Sequence, residues 1–203
     1  TNLAGPTFNV AAGSNGTAGL IHTGYAYNGS ATQGMTKTGT GTLLMSGAND
    51  YKGPVSINAG TVELTGSGTL GASVAGIAIA NAGIFKSSST AAQTIAGTIS
   101  GQGSIIQAGT GAMTLSVDNT FSGGTTINSG STLNVGSGST TGSLGTGAVL
   151  DNGTLVFNRN NSITVANAIS GTGALVQSGT GTSVFTANNT YSGSTTISSG
   201  TLQ

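Results

Sequence analysis

The sequence predicts an all-β protein folded as a right-handed parallel β-helix, a solenoid whose short strands stack turn upon turn. Three observations lead to this prediction. Segments recur at an unchanging interval of 70 residues, apolar and polar side chains alternate in short runs, and Gly, Asn and Ser fill the intervals between runs. A strict period indicates one structural unit stacked on itself. Short strands between Gly- and Asn-rich turns are typical of a solenoid.

The period is clearest in one short motif. Lys37-Thr38-Gly39-Thr40-Gly41 returns as Gln107-Ala108-Gly109-Thr110-Gly111 and as Gln177-Ser178-Gly179-Thr180-Gly181. Each copy continues with an Asn, an aromatic residue and two Gly at the same interval, and we predict that these twelve form the structural motif: Asn49, Tyr51, Gly53, Gly60, Asn119, Phe121, Gly123, Gly130, Asn189, Tyr191, Gly193 and Gly200.

These copies divide the chain into two parts. They run over 37–61, 107–130 and 177–202, so residues 35–203 are predicted to be β-helical repeats. Residues 1–34 fit the period poorly and are predicted to be an irregular N-terminal coil or cap.

Each strand is predicted from an alternation of period two. Leu43-Leu44-Met45 recurs as Met113-Thr114-Leu115 and Ser183-Val184-Phe185, with the outer residues of each triplet expected to point inward. A turn of such a solenoid takes a little over 20 residues, so each repeat is expected to make about three coils. Helix is disfavoured, since Gly, Thr, Ser, Asn, Val and Ile are middling or poor helix formers.

The composition excludes several classes of partner. The chain has 203 residues, 37 of them Gly, with 4% charged residues, no Cys and a formal net charge of zero. Nucleic-acid binding needs a basic patch, and none is present in the sequence. No apolar run approaches the ~20 residues of a membrane-spanning helix, so no membrane insertion is expected in this segment.

Few residues suggest chemistry. Asp50, Glu63, Asp118 and Asp151 do not repeat, and the single His22 has no partners for a metal site. We therefore predict no catalytic residues, no metal and no cofactor, and that the chain is not an enzyme. The repeated Asn side chains are expected to hydrogen-bond turn backbone. The repeated aromatic side chains lie about 14 Å apart in a stacked solenoid, so each is expected to pack over its own corner.

Copy one resembles a known repeat. The stretch from Lys37 to Gly41, followed by Ser46-Gly47-Ala48-Asn49-Asp50-Tyr51-Lys52-Gly53 and Ile57-Asn58-Ala59-Gly60-Thr61, resembles the passenger-associated repeat of bacterial autotransporters. Copy three, from Gly179 to Leu202, is similar to the same pattern. Copy two departs from it at Gln107 and Phe121, outside its Gly/Asn framework. The resemblance implies a β-helical stalk in a surface or secreted protein of a Gram-negative bacterium, with no active-site residues to carry over.

We therefore expect a structural and adhesive stalk segment on the bacterial cell surface or outside the cell. Its expected partners are other copies of itself or the surface of a host or another cell. The alternative is a repeat subunit of an extracellular fibre, a homopolymer that grows end to end through exposed strand edges. A third and weaker alternative is a β-helix enzyme that acts on polysaccharides, for which two carboxylates are the minimum.

Overall fold

The structure, a computed structural model, describes residues 6–11, 20–22, 34–49, 51–70, 75–80 and 83–203, with only the backbone at 20–22. Within these ranges every regular element is a β-strand. None of the described residues forms a helix of the length and apolarity needed to cross a membrane.

The described strands are short, most of them three to five residues long. In chain order they are β1 (Thr7–Asn9), β2 (Leu20–His22), β3 (Met35–Thr38), β4 (Thr42–Met45), β5 (Val55–Ile57), β6 (Gly60–Leu64), β7 (Gly76–Ile79), β8 (Gly83–Ser87), β9 (Gln93–Ile95), β10 (Thr98–Gly101), β11 (Ser104–Gln107), β12 (Met113–Leu115), β13 (Thr125–Ile127), β14 (Thr132–Ser139), β15 (Val149–Asp151), β16 (Thr154–Arg159), β17 (Ile163–Val165), β18 (Ile169–Ser170), β19 (Ala174–Gln177), β20 (Thr182–Phe185), β21 (Thr195–Ile197) and β22 (Thr201–Leu202).

The strands form four sheets in which every pairing is parallel. The sheet orders are β1-β3-β5-β7-β10, β18-β15-β13-β11-β8-β6-β4-β2, β21-β19-β16-β14-β12-β9 and β17-β20-β22. Consecutive strands along the chain fall in different sheets, and each strand pairs with one about a turn away. This topology is a parallel β-solenoid and confirms the predicted fold class.

The solenoid has three faces. Between β9 and β11 the chain visits the five-stranded sheet at β10, and between β16 and β18 it visits the three-stranded sheet at β17. The three-stranded sheet therefore takes the place in the turn that the five-stranded sheet holds earlier. The eight-stranded sheet forms the second face, and the six-stranded sheet forms the third.

The repeat does not return to the face on which it began. Copy one starts on β3 in the five-stranded sheet, copy two on β11 in the eight-stranded sheet, and copy three on β19 in the six-stranded sheet. Seventy residues thus make three turns and one further face. Each motif copy is rotated by about a third of a turn from the one before it, so the same turn chemistry appears on every side.

The core is a narrow column of inward side chains. On the eight-stranded sheet Leu43, Val62, Phe85 and Ile105 follow one another in register, and all four are fully buried. Each such side chain contributes roughly 1.5–3 kcal/mol through burial. The intervening residues are only partly buried, as the period-two alternation predicts.

Part of the N-terminal segment joins the solenoid. In the segment 1–34, β1 pairs with β3 and β2 pairs with β4, so these residues extend the ladders of copy one. The predicted coil or cap at 1–5, 12–19 and 23–33 lies outside the described residues.

Candidate functional site

The repeated Asn side chains stitch neighbouring turns together. Asn119 Oδ1 accepts from the Ile99 N–H at 2.8 Å, one turn earlier. Its Nδ2 donates to the Ser143 carbonyl, 2.6 Å away and one turn later, and to the Val117 carbonyl at 2.9 Å. One amide therefore satisfies backbone groups in three successive turns, where the chain turns away from a strand and the regular ladder is interrupted.

The other two copies make parts of this pattern. Asn49 Nδ2 donates to the carbonyls of Gly47 and Thr69, at 2.8 and 2.9 Å. Asn189 Oδ1 accepts from the Ile169 N–H at 2.8 Å. The described hydrogen bonds of all three Asn side chains are with backbone.

A second polar position, not predicted as part of the site, lies at the start of each copy. The Gln107 amide is buried, and its Nε2 donates to the carbonyls of Gly109 and Gly111, at 3.0 and 2.8 Å. Gln177 does the same with Gly179 and Gly181, at 2.9 and 3.2 Å. The signal was in the sequence: a long side chain with an N–H donor recurs two residues before each Gly-x-Gly.

In copy one a buried ammonium takes this position. Lys37 Nζ donates to the carbonyls of Thr38 and Gly39, both at 2.7 Å, and to that of Ala59 at 3.1 Å. The side chain is fully buried, and burial lowers the pKa of Lys37. The cation therefore closes a turn, and no anion is placed to pair with it among its described contacts.

The repeated aromatic and Gly residues shape the corners. Tyr51 and Phe121 are buried, and Tyr191 packs against the same core. Gly60, Gly130 and Gly200 have φ of +68°, +78° and +68°, a conformation that only Gly adopts readily. At Gly123 and Gly193 a Cβ would meet a carbonyl oxygen of the preceding turn, that of Gly103 or Gly173.

The carboxylates are dispersed. Glu63 pairs with Lys86 at 3.0 Å on neighbouring strands, Asp118 pairs with Arg159 at 3.1 Å, and Asp50 lies outside the described residues. Within the described ranges no three His, Cys, Asp or Glu side chains come close enough to hold a metal ion.

Asp151 is the exception, because it is almost completely buried. One oxygen, Oδ1, accepts from the Gly153 N–H at 2.9 Å, while Oδ2 is buried without a hydrogen-bond partner. Burial raises the pKa of Asp151, against the lowering effect of hydrogen bonds from the Gly153 and Leu155 backbone.

A long glycine-rich loop, which we define as residues 136–147, follows copy two. It begins at a register shift between Val135 and Ser139, where β14 and β16 lose their regular pairing. Arg159, 7% exposed, holds the loop: its guanidinium donates to the carbonyls of Thr140 and Gly142 and to Asp118 Oδ1. Asp118 Oδ1 also accepts from the Gly142 N–H at 2.9 Å.

A cleft of about 230 Å³ opens between this loop and the turn that follows it. Its walls are Ser143–Thr146 on one side and Ile163–Asn167 on the other, and Phe157 lies between them. Asn167 Nδ2 crosses from one wall to the other and donates to the carbonyls of Gly145 and Gly147, at 2.8 and 2.7 Å.

These features define a structural β-solenoid in which most of the polar motif side chains serve the turns of the chain itself. The family model of the passenger-associated-transport-repeat matches residues 35–64, 105–135 and 175–203. The chain thus carries three passenger-associated-transport-repeats, which confirms the resemblance seen in the sequence. The matched family is a structural repeat and not a known enzyme family.

Comparison with curated proteins gives the same context. The chain is 40% identical over 81 residues to the Adhesin BmaC autotransporter of Brucella suis biovar 1 (strain 1330), a match that covers 39% of this chain. The matched part spans only about 2% of the length of that relative. No solved structure matches the chain. Over the three matched segments and this stretch of 81 residues, the chain is therefore similar to autotransporter passenger repeats, which belong to secreted or cell-surface proteins.

Proposed function

We propose that this segment is both a stalk and an adhesive surface, and that it associates with other copies of itself or with a cell surface. The observation that carries the proposal is an outward row of side chains on the six-stranded sheet. Thr94, Thr114, Asn134, Val156, Val176 and Thr196 follow one another in register, one from each strand.

This row is uncharged from end to end. The row presents hydroxyl, amide and methyl groups along a sheet whose neighbouring strands lie about 4.8 Å apart. Such a face carries no net charge that would repel a second copy, and it offers hydrogen-bond donors and acceptors beside apolar contact area. The relative whose name includes the word adhesin supports the same role.

The test is bead adhesion. Beads coated with the chain are expected to cluster with one another or to attach to cultured epithelial cells. Thr114→Lys together with Val176→Lys places like charges on the row and is expected to reduce attachment at least tenfold. The matched control is Thr126→Lys on the eight-stranded sheet, which leaves the row intact. Equal attachment by the double variant and the control would contradict the adhesive role of this face.

A further inference from the structure

The cleft beside the long loop is a gap in the backbone hydrogen-bond ladder. Before the gap, the last backbone hydrogen bond between the two turns is donated by the Asn160 N–H to the Ser139 carbonyl, at 3.0 Å. The ladder closes again after the gap by Val149 N–H donating to the Ala168 carbonyl, at 2.9 Å. Between these bonds, in a part of the chain that is described without a break, no backbone hydrogen bond joins 143–147 to 163–167.

Backbone groups of the upper wall point into this gap. In a parallel strand the N–H and C=O of one residue face one neighbour, and those of the next residue face the other. The Val165 carbonyl accepts from the Thr186 N–H, at 3.1 Å, and so faces the following turn. The N–H and C=O of Thr164 and Ala166 therefore face the cleft, and no protein group pairs with them.

The lower wall is arranged in the same way. The Thr146 N–H donates to the Phe121 carbonyl at 2.8 Å, in the preceding turn, so the peptide groups of Gly145 and Gly147 face upward. Their carbonyls are taken by Asn167 Nδ2, and the Ser143 hydroxyl accepts from the Asn119 N–H of the preceding turn at 2.9 Å. The Thr146 hydroxyl is the other polar side-chain group of this wall. Thr164 and Ala166 are exposed, so their unpaired peptide groups are open to water or to a ligand.

The lining selects the chemistry of the occupant. None of the residues that form the cleft carries a charge, and its floor is made of Leu144, Phe157 and Val165. The volume of about 230 Å³ exceeds the ~30 Å³ share of one water molecule and falls below the ~300 Å³ of drug-sized sites. A ligand that fits this cleft is small and neutral, with one apolar face and several hydroxyl groups that both donate and accept hydrogen bonds.

An added peptide strand fits less well. It would need the whole gap between the two walls, and the Asn167 side chain already crosses that gap to Gly145 and Gly147. We propose that the cleft is a binding site for a single neutral sugar residue, whose hydroxyls pair with the Thr164 and Ala166 peptide groups. This proposal goes beyond the adhesive role of the six-stranded sheet and does not depend on it.

The experiment is a titration of the ¹⁵N-labelled chain with the methyl glycosides of glucose, galactose, mannose and N-acetylglucosamine. At least one glycoside is expected to shift the Thr164 and Ala166 amide signals saturably, with half-saturation in the millimolar range. Ala166→Trp places a large ring at the exposed rim of the cleft and is expected to weaken binding at least tenfold. The matched control is Ala168→Trp, also exposed, which lies beyond the cleft and is expected to leave binding unchanged.

Each other outcome overturns the proposal. Absence of saturable shifts for all four glycosides would mean that the cleft holds only water. Equal binding by the two Trp variants would place the sugar elsewhere on the chain. Binding of the neutral peptide acetyl-Thr-Val-Thr-Val-Thr-amide at the cleft in preference to the glycosides would assign the gap to a strand. Thr164→Trp replaces Ala166→Trp if the latter loses its β-type circular dichroism spectrum. Bead adhesion is read separately, so the two proposals can fail independently.

Discussion

Two places where a strand stacks on a loop of the preceding turn, one repeat apart, are bridged by different side chains. In the first, β9 stacks on the turn that contains the short loop at 66–70, and in the second, β17 stacks on the long loop. In the short loop Thr69 faces Asn49, and in the long loop Ser143 faces Asn119. These facing residues are 74 positions apart, four more than the period of 70, so the long loop holds four additional residues.

The side chains that bridge strand and loop differ between the two places. Below β9, Gln93 Oε1 accepts from the Leu70 N–H at 2.7 Å, and Ser89 Oγ donates to the Gly66 carbonyl at 3.2 Å. Below β17, the residues one period later are Ile163 and Arg159. Ile163 has no amide to donate or accept, and Asn167 crosses the gap instead. A Gln at the first position of β9 bonds to Leu70, the last described residue of the short loop, whereas an Ile at the same position of β17 makes no such bond beside the cleft.

The largest expected effect comes from the loop clamp. Arg159→Met is expected to destabilise the chain by roughly 2–4 kcal/mol, because it takes the charged donor away from the Thr140 and Gly142 carbonyls. The Asp118 carboxylate that loses its partner is mostly exposed and adds little to this cost. Urea unfolding measures the change. Ser89→Ala at the equivalent position is the control and is expected to cost about 1 kcal/mol. Similar losses for both variants would show that the clamp adds nothing to the long loop.

The next effect tests the bridge below β9. Gln93→Leu is expected to cost about 1–3 kcal/mol, because it leaves the buried Leu70 N–H without an acceptor. Amide hydrogen exchange is expected to speed up at Leu70 and to stay unchanged at Leu144. Unchanged exchange at Leu70 would contradict the assignment of Gln93 as the bridge.

The converse change sharpens the comparison. Ile163→Gln gives β17 the Gln that β9 carries at the same position. The new amide is expected to form hydrogen bonds across the cleft and to stabilise the chain by about 1 kcal/mol. It is also expected to reduce glycoside binding, since the new amide competes for the cleft. A variant that binds glycosides as the parent chain does would show that position 163 does not control access.

Asp151 gives the chain a pH dependence. Its folded pKa is raised by burial above the unfolded value of about 3.9. The stability that this carboxyl contributes is therefore fully present below pH ~3.9, and it is lost as the pH rises through the folded pKa. The urea midpoint of the parent chain is expected to fall as the pH rises. Asp151→Asn is expected to remove this fall and to be more stable than the parent chain at pH 7. Parallel midpoint curves for the two proteins would contradict a raised pKa.

The smallest effect is expected at Lys37. Lys37→Gln copies the residue of the other two repeats, which caps the same turn with an amide, and is expected to change stability by less than about 1 kcal/mol. Lys37→Met is the matched variant without a donor and is expected to be less stable than Lys37→Gln. Equal stability of the Gln and Met variants would show that the turn carbonyls do not need the donor.

Local sequence chemistry predicted most of the fold. Leu43 and Met45 are buried around a half-buried Leu44, and Gly60, Gly130 and Gly200 adopt the positive φ expected at corners. The number of turns in a repeat was less accessible. The expectation of about three coils per repeat did not include the further third of a turn. A period of 70 residues predicts the rotation between copies only if the number of residues in one turn is known.

The cleft was not predicted, and particular residues explain why. Gln93 and Ile163 both occupy the first position of a short strand, and neither resembles a site residue in the sequence. Arg159 and Asp118 are 41 positions apart and pair only because two turns bring them together.

By itself the sequence determined the period, the strands, the corner glycines and the inward column, because each depends on residues that are neighbours in the chain or one repeat apart. The tertiary structure alone decided the rotation of each copy by one face, the clamping of the long loop and the gap beside β17. Those features arise from contacts between turns, and contacts between turns depend on the exact length of every intervening loop.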